Sequence, residues 1–176
     1  MLVLVTGPPG TGKSTVARTT AARLGAAVIG HDWAMSGLRP FPEVQAALDA
    51  MDPPGHRAVG WSILVALARS ELRGGRPVVL DGVARVLEAS RCAAMAREEG
   101  AASLVVLTAC ADRALHRSRI EGRERGIPNW DELEWAHVEG SLASWDPPAP
   151  DLLVDAGDPW ELNERRLAAF LGGRGW

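Results

Sequence analysis

The sequence predicts an α/β protein in which a parallel sheet is covered by helices on both faces. Five short apolar segments alternate with helical segments along the 176 residues, a pattern typical of parallel strands joined by crossover helices. Hydrophobic residues make up 47% of the chain and charged residues 23%, as in ordinary soluble globular proteins. The length predicts a single domain over 1–176, with room for a substantial core.

The predicted strands are short, and the first, LVLV, is a continuous apolar run that meets glycines, as in a strand buried on both faces. The predicted strands are 2–5, 26–29, 77–80, 103–108 and 152–154. Helical patterns lie between and after them, and Gly25 ends the first as a C-cap. The predicted helices are 13–24, a short one near 43–51, 56–73, 87–99, 112–125, one beginning at Asn129, and 159–171.

Two details of this pattern are specific enough to test. The remainder of 31–54 is predicted as loop around its short helix. Asn129 with Glu132 three residues later forms a capping-box-like pair, which predicts a helix start at Asn129.

The segment after the first strand carries a phosphate-binding motif. Of nineteen basic residues only Lys13 is a lysine, and it occupies the lysine position of G-x-x-x-x-G-K-S/T, between a buried strand and a helix. Glycines let several backbone N–H groups converge on one anion, and the helix start adds its dipole. The residues predicted to bind the nucleotide are Gly7, Pro8, Pro9, Gly10, Thr11, Gly12, Lys13, Ser14 and Thr15.

The chemistry of this motif predicts ATP and Mg²⁺ as the cofactors. Lys13 can place a compact charge on the β- and γ-phosphates, which the planar fork of arginine does poorly. The Ser14 hydroxyl can bind Mg²⁺.

The sequence excludes a GTPase. GTPases recognise guanine through the motif N-K-x-D, and no second lysine exists to supply its lysine. The D-x-x-G match at Asp52 is coincidental, because no strand precedes it.

With this motif, four features of the chain resemble the small P-loop kinases: GPPGTGKST, Gly-His-Asp after the second strand, Val-Leu-Asp-Gly ending the third, and arginines after the fourth. The pattern is similar to the AAA_33 and zeta-toxin-like group, the kinase domain of polynucleotide kinase and chloramphenicol phosphotransferase-type enzymes. The resemblance implies a P-loop NTPase three-layer sandwich with strand order 2-3-1-4-5. It also implies a short lid at about 117–130.

The resemblance implies a role for a carboxylate at the end of each of two strands. Asp32 would bind the acceptor and serve as general base, because an alcohol attacking a phosphorus atom must be oriented and lose its proton. Asp81 would hold Mg²⁺ through water or bind the acceptor. The structural alternatives are a cap at Asp32 and a turn-opening aspartate before Gly82.

Arginines after the fourth strand are expected to form the lid over the phosphates. One or two of them would be catalytic, Arg117 and Arg123 being the first choices, because a guanidinium can stabilise charge on the transferring group. The alternative is a solvated helix with i,i+4 pairs between Glu121 and Arg117 or Arg125. Arg39 is expected to contribute from the acceptor side. The four candidate lid arginines are Arg117, Arg119, Arg123 and Arg125.

The acceptor is expected to be a small molecule with a hydroxyl: a nucleoside, a sugar-like metabolite or an antibiotic. Trp33 could stack on it or pack in the core, and the segments 33–54 and 128–148 would wall the pocket. A net charge of −3 and a pI near 5.8 disfavour a nucleic-acid partner and hence a polynucleotide 5′-hydroxyl kinase. A non-catalytic nucleotide switch is the other alternative. No membrane contact is expected, the expected location is cytoplasmic, and a homodimer stays possible.

Overall fold

A computed structural model describes residues 1–173 and contains a five-stranded, entirely parallel sheet with the strand order β2-β3-β1-β4-β5. This confirms the predicted fold class and strand order. The central strand β1 pairs with β3 on one side and with β4 on the other. The strands are β1 (Leu2–Thr6), β2 (Ala27–Gly30), β3 (Val78–Asp81), β4 (Ser103–Ala109) and β5 (Leu152–Asp155).

The connections between strands contain the helices, which lie on both faces of the sheet. Gly25 ends α1 in the left-handed conformation, with φ of 60°, as predicted. The helices are α1 (Lys13–Leu24), α2 (His31–Ser36), α3 (Pro42–Asp49), α4 (Pro53–Arg73), α5 (Val86–Glu98), α6 (Arg113–Glu121), α7 (Trp135–Ala143) and α8 (Trp160–Gly172).

The core consists of two apolar layers separated by the sheet. Every residue of β1 is buried, and alternate side chains point to opposite faces because a strand has a period of two. Leu2 and Leu4 belong to the layer that includes Trp61 of α4. Val3 and Val5 belong to the layer formed with α1 and α8. Burial on both faces explains why the strand reads as an uninterrupted apolar run.

The segment predicted as loop after β2 contains an additional helix. α2 begins directly at His31, so Asp32 lies in its first turn. α4 begins at Pro53, earlier than predicted, because the Asp52 carboxylate accepts a hydrogen bond from the Gly55 N–H at 2.7 Å and caps the helix. This local cap explains the apparent D-x-x-G match without any nucleotide contact.

The predicted helix boundaries between 112 and 134 are wrong. α6 ends at Glu121, and the next helix begins at Trp135 instead of Asn129. Asn129 has φ of 56°, a left-handed conformation, whereas an N-cap asparagine typically has an extended one. Glu132 does not complete a capping box, because its carboxylate accepts hydrogen bonds from the Arg125 backbone and guanidinium. The contacts of Glu132 with a residue seven positions earlier thus overrode the local signal.

α6 and α7 pack together through a small apolar cluster of Ile120, Trp135 and Val138.

Within residues 1–173, no helix combines the length and the apolarity needed to cross a bilayer.

Candidate active site

The loop between β1 and α1 has the conformation that its glycines allow. Gly7, Gly10 and Gly12 have φ of 152°, 83° and 84°, values that residues other than glycine rarely adopt. A Cβ on Gly7 would lie 2.2 Å from the carbonyl oxygen of Thr108 in β4. Glycine at this position therefore permits both the turn and a close approach to the neighbouring strand.

Hydrogen bonds hold the loop in place without a ligand. The buried Thr11 hydroxyl donates to the Pro8 carbonyl at 2.7 Å and lies 2.6 Å from the Thr108 hydroxyl. The Nε2 atom of His116, on α6, lies 2.6 Å from the Pro9 carbonyl oxygen. The loop is therefore tied to β4 and α6 and is preorganised to receive an anion.

Lys13 places its ammonium within this loop and donates to the Pro8 carbonyl at 2.9 Å. Burial lowers the pKa of Lys13 to about 8, against the opposing effect of the carboxylates of Asp81 and Asp32. A buried ammonium in this position is stabilised by an additional anion, which a phosphate group would supply.

A cavity of about 830 Å³ opens in front of the loop, at the carboxyl edge of the sheet, where open α/β sheets bind ligands. The P-loop and the residues after β2, β3 and α6 form its walls. Gly7, Pro8 and Thr11 lie buried beneath it. The predicted site residues in its lining are Pro9, Gly10, Gly12, Lys13, Ser14, Thr15, Asp32, Trp33, Asp81 and Arg123.

Asp32 faces Lys13 across the cavity as part of a charged cluster. Its carboxylate forms an ion pair with the guanidinium of Arg125 and lies 3.5 Å from His31 Nδ1. Burial opposes ionisation, but the hydrogen bonds and charges of His31 and Arg125 outweigh it and lower the pKa of Asp32 to about 2. The carboxylate is thus ionised and engaged by a residue of the segment 122–134.

The imidazole of His31 is closely packed between two glycines. A Cβ added at Gly60 of α4 would lie only 2.3 Å from Nε2 of His31, and one at Gly82 would lie 2.9 Å from its Cβ. Its Nε2 is buried and has no hydrogen-bond partner among residues 1–173. These two glycines give the imidazole its space beside Asp32, a relationship that no spacing in the sequence reveals.

Asp81 ends β3 next to the P-loop, and it lines the cavity together with Ser14. Burial raises the pKa of Asp81, although Lys13 and Ser14 act in the opposite direction. A hydroxyl and a carboxylate at the mouth of a phosphate loop fit Mg²⁺, which takes few protein oxygens together with phosphates and water. No cluster of three or more His, Cys, Asp or Glu side chains suited to a metal occurs within residues 1–173.

The structure separates the four candidate lid arginines into two groups. Arg119, Arg123 and Arg125 line the cavity. Arg117 does not: it forms the i,i+4 pair with Glu121 at 2.7 Å, and its side chain is 59% exposed. The prediction that Arg117 is a first-choice catalytic arginine therefore has no support from its position. Arg117 and Arg119 lie on different faces of α6, because an α-helix turns by about 100° per residue. The arginine content of the segment could not show which of them faces the cavity.

Glu132 holds two of the cavity arginines together. Its carboxylate accepts from Arg123 Nε at 3.1 Å and from Arg125 Nε at 3.0 Å. Each guanidinium also has one buried terminal nitrogen without a hydrogen-bond partner in the described part of the chain. Both residues line the cavity, and their guanidinium groups carry the charge that binds phosphoryl oxygens.

Aromatic side chains form the outer rim of the cavity. Trp33 lines it and is 56% exposed, so it is not a core residue. Trp130 also lines the cavity. Arg39 does not line it. Its guanidinium lies 4.9 Å from the centroid of the Trp130 ring and pairs with Asp131, so it supports the rim from behind.

The fold and the site define a P-loop protein with the fold of the small P-loop kinases. The model of the AAA_33 family, described as an AAA domain, matches residues 2–148, and the chain belongs to this family. It is also 31% identical over 186 residues to a UPF0200 protein of Aeropyrum pernix, with 98% of this chain and 96% of that protein covered.

Solved structures at lower identity share the fold. A sugar kinase from Janibacter is 17% identical with a TM-score of 0.70, and the match covers 97% of this chain and 94% of that one. Kti12 of Chaetomium thermophilum, solved with ADP-AlF3, is 17% identical with a TM-score of 0.70, covering 98% of each chain. These likenesses establish the architecture, while function must be argued from the site.

Proposed function

We propose that this protein is an ATP-dependent kinase that transfers the γ-phosphoryl group of ATP to a hydroxyl of a small molecule. The observation that carries the proposal is the shared cavity: Lys13, Asp32 and the lid arginines Arg123 and Arg125 all face it. A phosphate-binding loop alone would serve many functions. Phosphoryl transfer also requires a group that orients the acceptor and positive charge near the transferring group, and an ionised carboxylate and two arginines in the same cavity can supply both.

The donor side binds the triphosphate. The P-loop amides and Lys13 would hold the β- and γ-phosphates, and the ammonium is already desolvated beside them. Ser14 and Asp81 would hold Mg²⁺, directly or through water. When bound, Mg²⁺ neutralises charge on the phosphates.

Asp32 supplies the acceptor side. The acceptor hydroxyl would replace Arg125 as its hydrogen-bond partner and be aligned with the γ-phosphorus. The acceptor oxygen then forms a bond to phosphorus as the bond from phosphorus to the bridging oxygen of ADP breaks. The hydroxyl proton passes to Asp32. With a pKa of about 2 while paired, Asp32 orients the hydroxyl first and becomes a better base once Arg125 has left.

The lid arginines stabilise the charge that develops during transfer. In such a reaction the transferring group carries its negative charge on three equatorial oxygens. Arg119, Arg123 and Arg125 all line the cavity, so their guanidinium groups can reach these oxygens. The segment 117–130 is therefore proposed as the lid of a single domain, with Arg123 and Arg125 as its working residues.

The test is a panel of hydroxyl compounds incubated with MgATP, with product mass measured by mass spectrometry. The panel contains nucleosides, sugars, sugar-like metabolites and aminoglycoside or aromatic antibiotics, with a 5′-hydroxyl oligonucleotide as the alternative acceptor. A product heavier by one phosphoryl group, absent with Lys13→Ala, supports the proposal. Basal ATP hydrolysis that no hydroxyl compound changes, together with ATP-dependent capture of a purified partner protein, would instead indicate a switch.

A further inference from the structure

A second cavity, of about 490 Å³, adjoins the nucleotide cavity. The two cavities share three wall residues, Pro9, Val83 and Leu133. The segment after β3 runs from Asp81 in the first cavity to Arg85 in the second. Four residues span at most about 14 Å, so one small molecule could extend from one cavity into the other.

The wall of this second cavity carries more positive than negative groups. Arg57 and Arg85 line it, while Asp49 is its one carboxylate. Asp49 already accepts a hydrogen bond from Gln45 Nε2 at 2.6 Å. The cavity is therefore an electropositive recess in a chain whose net charge is −3.

Neither arginine has a carboxylate partner among residues 1–173. Arg57 has a buried Nε without a hydrogen-bond partner, and Arg85 donates to the backbone carbonyl of Ser144. This differs from Arg123 and Arg125, which are both paired with Glu132. A partly buried guanidinium without a counterion is costly, and a bound carboxylate or phosphate would form strong charge-assisted hydrogen bonds with it.

The rest of the wall is apolar. Leu142 and Trp145 of the α7 region face Leu48 and Met51 of the α3 region across the cavity. The Trp145 N–H is occupied, because it donates to the Ala84 carbonyl at 3.0 Å, so its ring offers an apolar surface. Such a lining with a few convergent charges is typical of a small-molecule site.

We infer that the second cavity binds the body of the acceptor, and that the acceptor is an organic anion with an apolar part. Its carboxylate or phosphate would lie against Arg57 and Arg85, and its hydroxyl would reach Asp32 past Val83. This inference rests on the proposed kinase function and narrows it, because it disfavours neutral sugars and nucleosides as substrates.

The experiment compares probes that differ in charge and little else. 4-(Hydroxymethyl)benzoate is paired with 4-(hydroxymethyl)benzamide, and a nucleoside 5′-monophosphate with its nucleoside, so that carboxylate and phosphate are tested separately. Calorimetric titration into protein saturated with Mg²⁺ and a non-hydrolysable ATP analogue gives the affinities. The anion of at least one pair should bind about tenfold or more tightly than its neutral partner.

Arg57→Gln and Arg85→Gln should each lower the affinity for that anion about tenfold and leave the ATP analogue bound as before. Arg91→Gln is the matched control, because Arg91 is an exposed arginine of α5 that lines neither cavity. Thermal melts of all variants show whether each is folded. Undetectable binding of both anions, equal affinity within both pairs, or unchanged anion affinity in both variants would overturn the inference.

The two proposals fail in different ways. If the acceptor panel yields phosphorylated neutral compounds whose turnover both Gln variants leave unchanged, the kinase function stands and this inference is wrong. If an anion binds through Arg57 and Arg85 but no compound is ever phosphorylated, the anion site stands and the kinase function is wrong.

Discussion

The two sides of the nucleotide cavity are held in place by different kinds of interaction. The donor side is a glycine loop fixed by buried hydrogen bonds, such as those of Thr11 with Pro8 and Thr108. The opposite side, residues 122–134, contains no helix or strand, and ion pairs of Glu132 and Asp32 with two arginines hold it.

This difference has a functional meaning. Buried, neutral hydrogen bonds in a packed environment favour a single conformation. Ion pairs of charged side chains at a cavity can exchange one charged partner for another when a charged ligand binds. The donor side is thus preformed, and the lid movement proposed above would release Asp32 and redirect Arg125.

The largest expected effect is on the preformed side. Lys13→Ala removes the only ammonium at the phosphates, and we expect nucleotide affinity and turnover to fall by about 10²–10³-fold. Titration with a fluorescent ATP analogue measures the nucleotide affinity, and the rate of product formation measures the turnover. Lys13→Arg should recover little of either, since the guanidinium fork does not fit a site for a point charge. Full recovery with arginine would contradict a shape-specific role.

Asp32→Asn tests the link between the two sides. We expect acceptor-dependent turnover to fall about 10²-fold or more, because the amide can accept a hydrogen bond but cannot take the proton. Affinity for the ATP analogue should stay unchanged. Turnover that survives nearly intact at unchanged ATP affinity would exclude Asp32 as the base.

Arg123→Gln and Arg117→Gln form a matched pair within the lid. We expect the first to lower kcat about 10- to 100-fold, because Arg123 lines the cavity, and the second to have no effect, because Arg117 pairs with Glu121 outside it. Steady-state kinetics with MgATP and the identified acceptor measure both. Equal losses in the two variants would mean that this segment contributes positive charge without a defined contact.

The smallest effect expected is a pH dependence of nucleotide binding. Since burial lowers the pKa of Lys13 to about 8, its ammonium is mostly protonated at pH 7 and mostly neutral at pH 9. Nucleotide affinity should be level below pH 8 and fall by up to tenfold per pH unit above it, with proton uptake on binding. Calorimetry in buffers of different ionisation enthalpy detects that uptake. The weaker nucleotide affinity of the Lys13→Arg variant should not change with pH over the same range.

Much of the donor side could be predicted from local sequence. The run LVLV, the glycines and Lys13 act through neighbouring residues and through burial on both faces, so the pattern itself specifies a strand, a loop and a helix start. The strand order followed from the family resemblance. Asp32 and Asp81 were predicted at the site because parallel strands bring their carboxyl ends to one edge.

The lid side could not be predicted in the same way. Asn129 and Glu132 carry the local signal of a helix start, yet Glu132 binds Arg123 and Arg125 and the helix begins at Trp135. Arg117 and Arg123 look equivalent in sequence, but one faces solvent and the other the cavity. Which of the two arginines reaches the cavity depends on where α6 ends and on which of its faces lies toward the cavity.

By itself, therefore, the sequence determined the α/β architecture and the phosphate-binding loop, because these depend on local geometry and on the periodicity of apolar residues, and its resemblance to the small P-loop kinases suggested the class of reaction proposed. The tertiary structure decided which arginines reach the cavity, that Arg125 engages Asp32, and that a second, electropositive cavity adjoins the first. Those features arise from contacts between residues far apart in the chain, which no local pattern encodes.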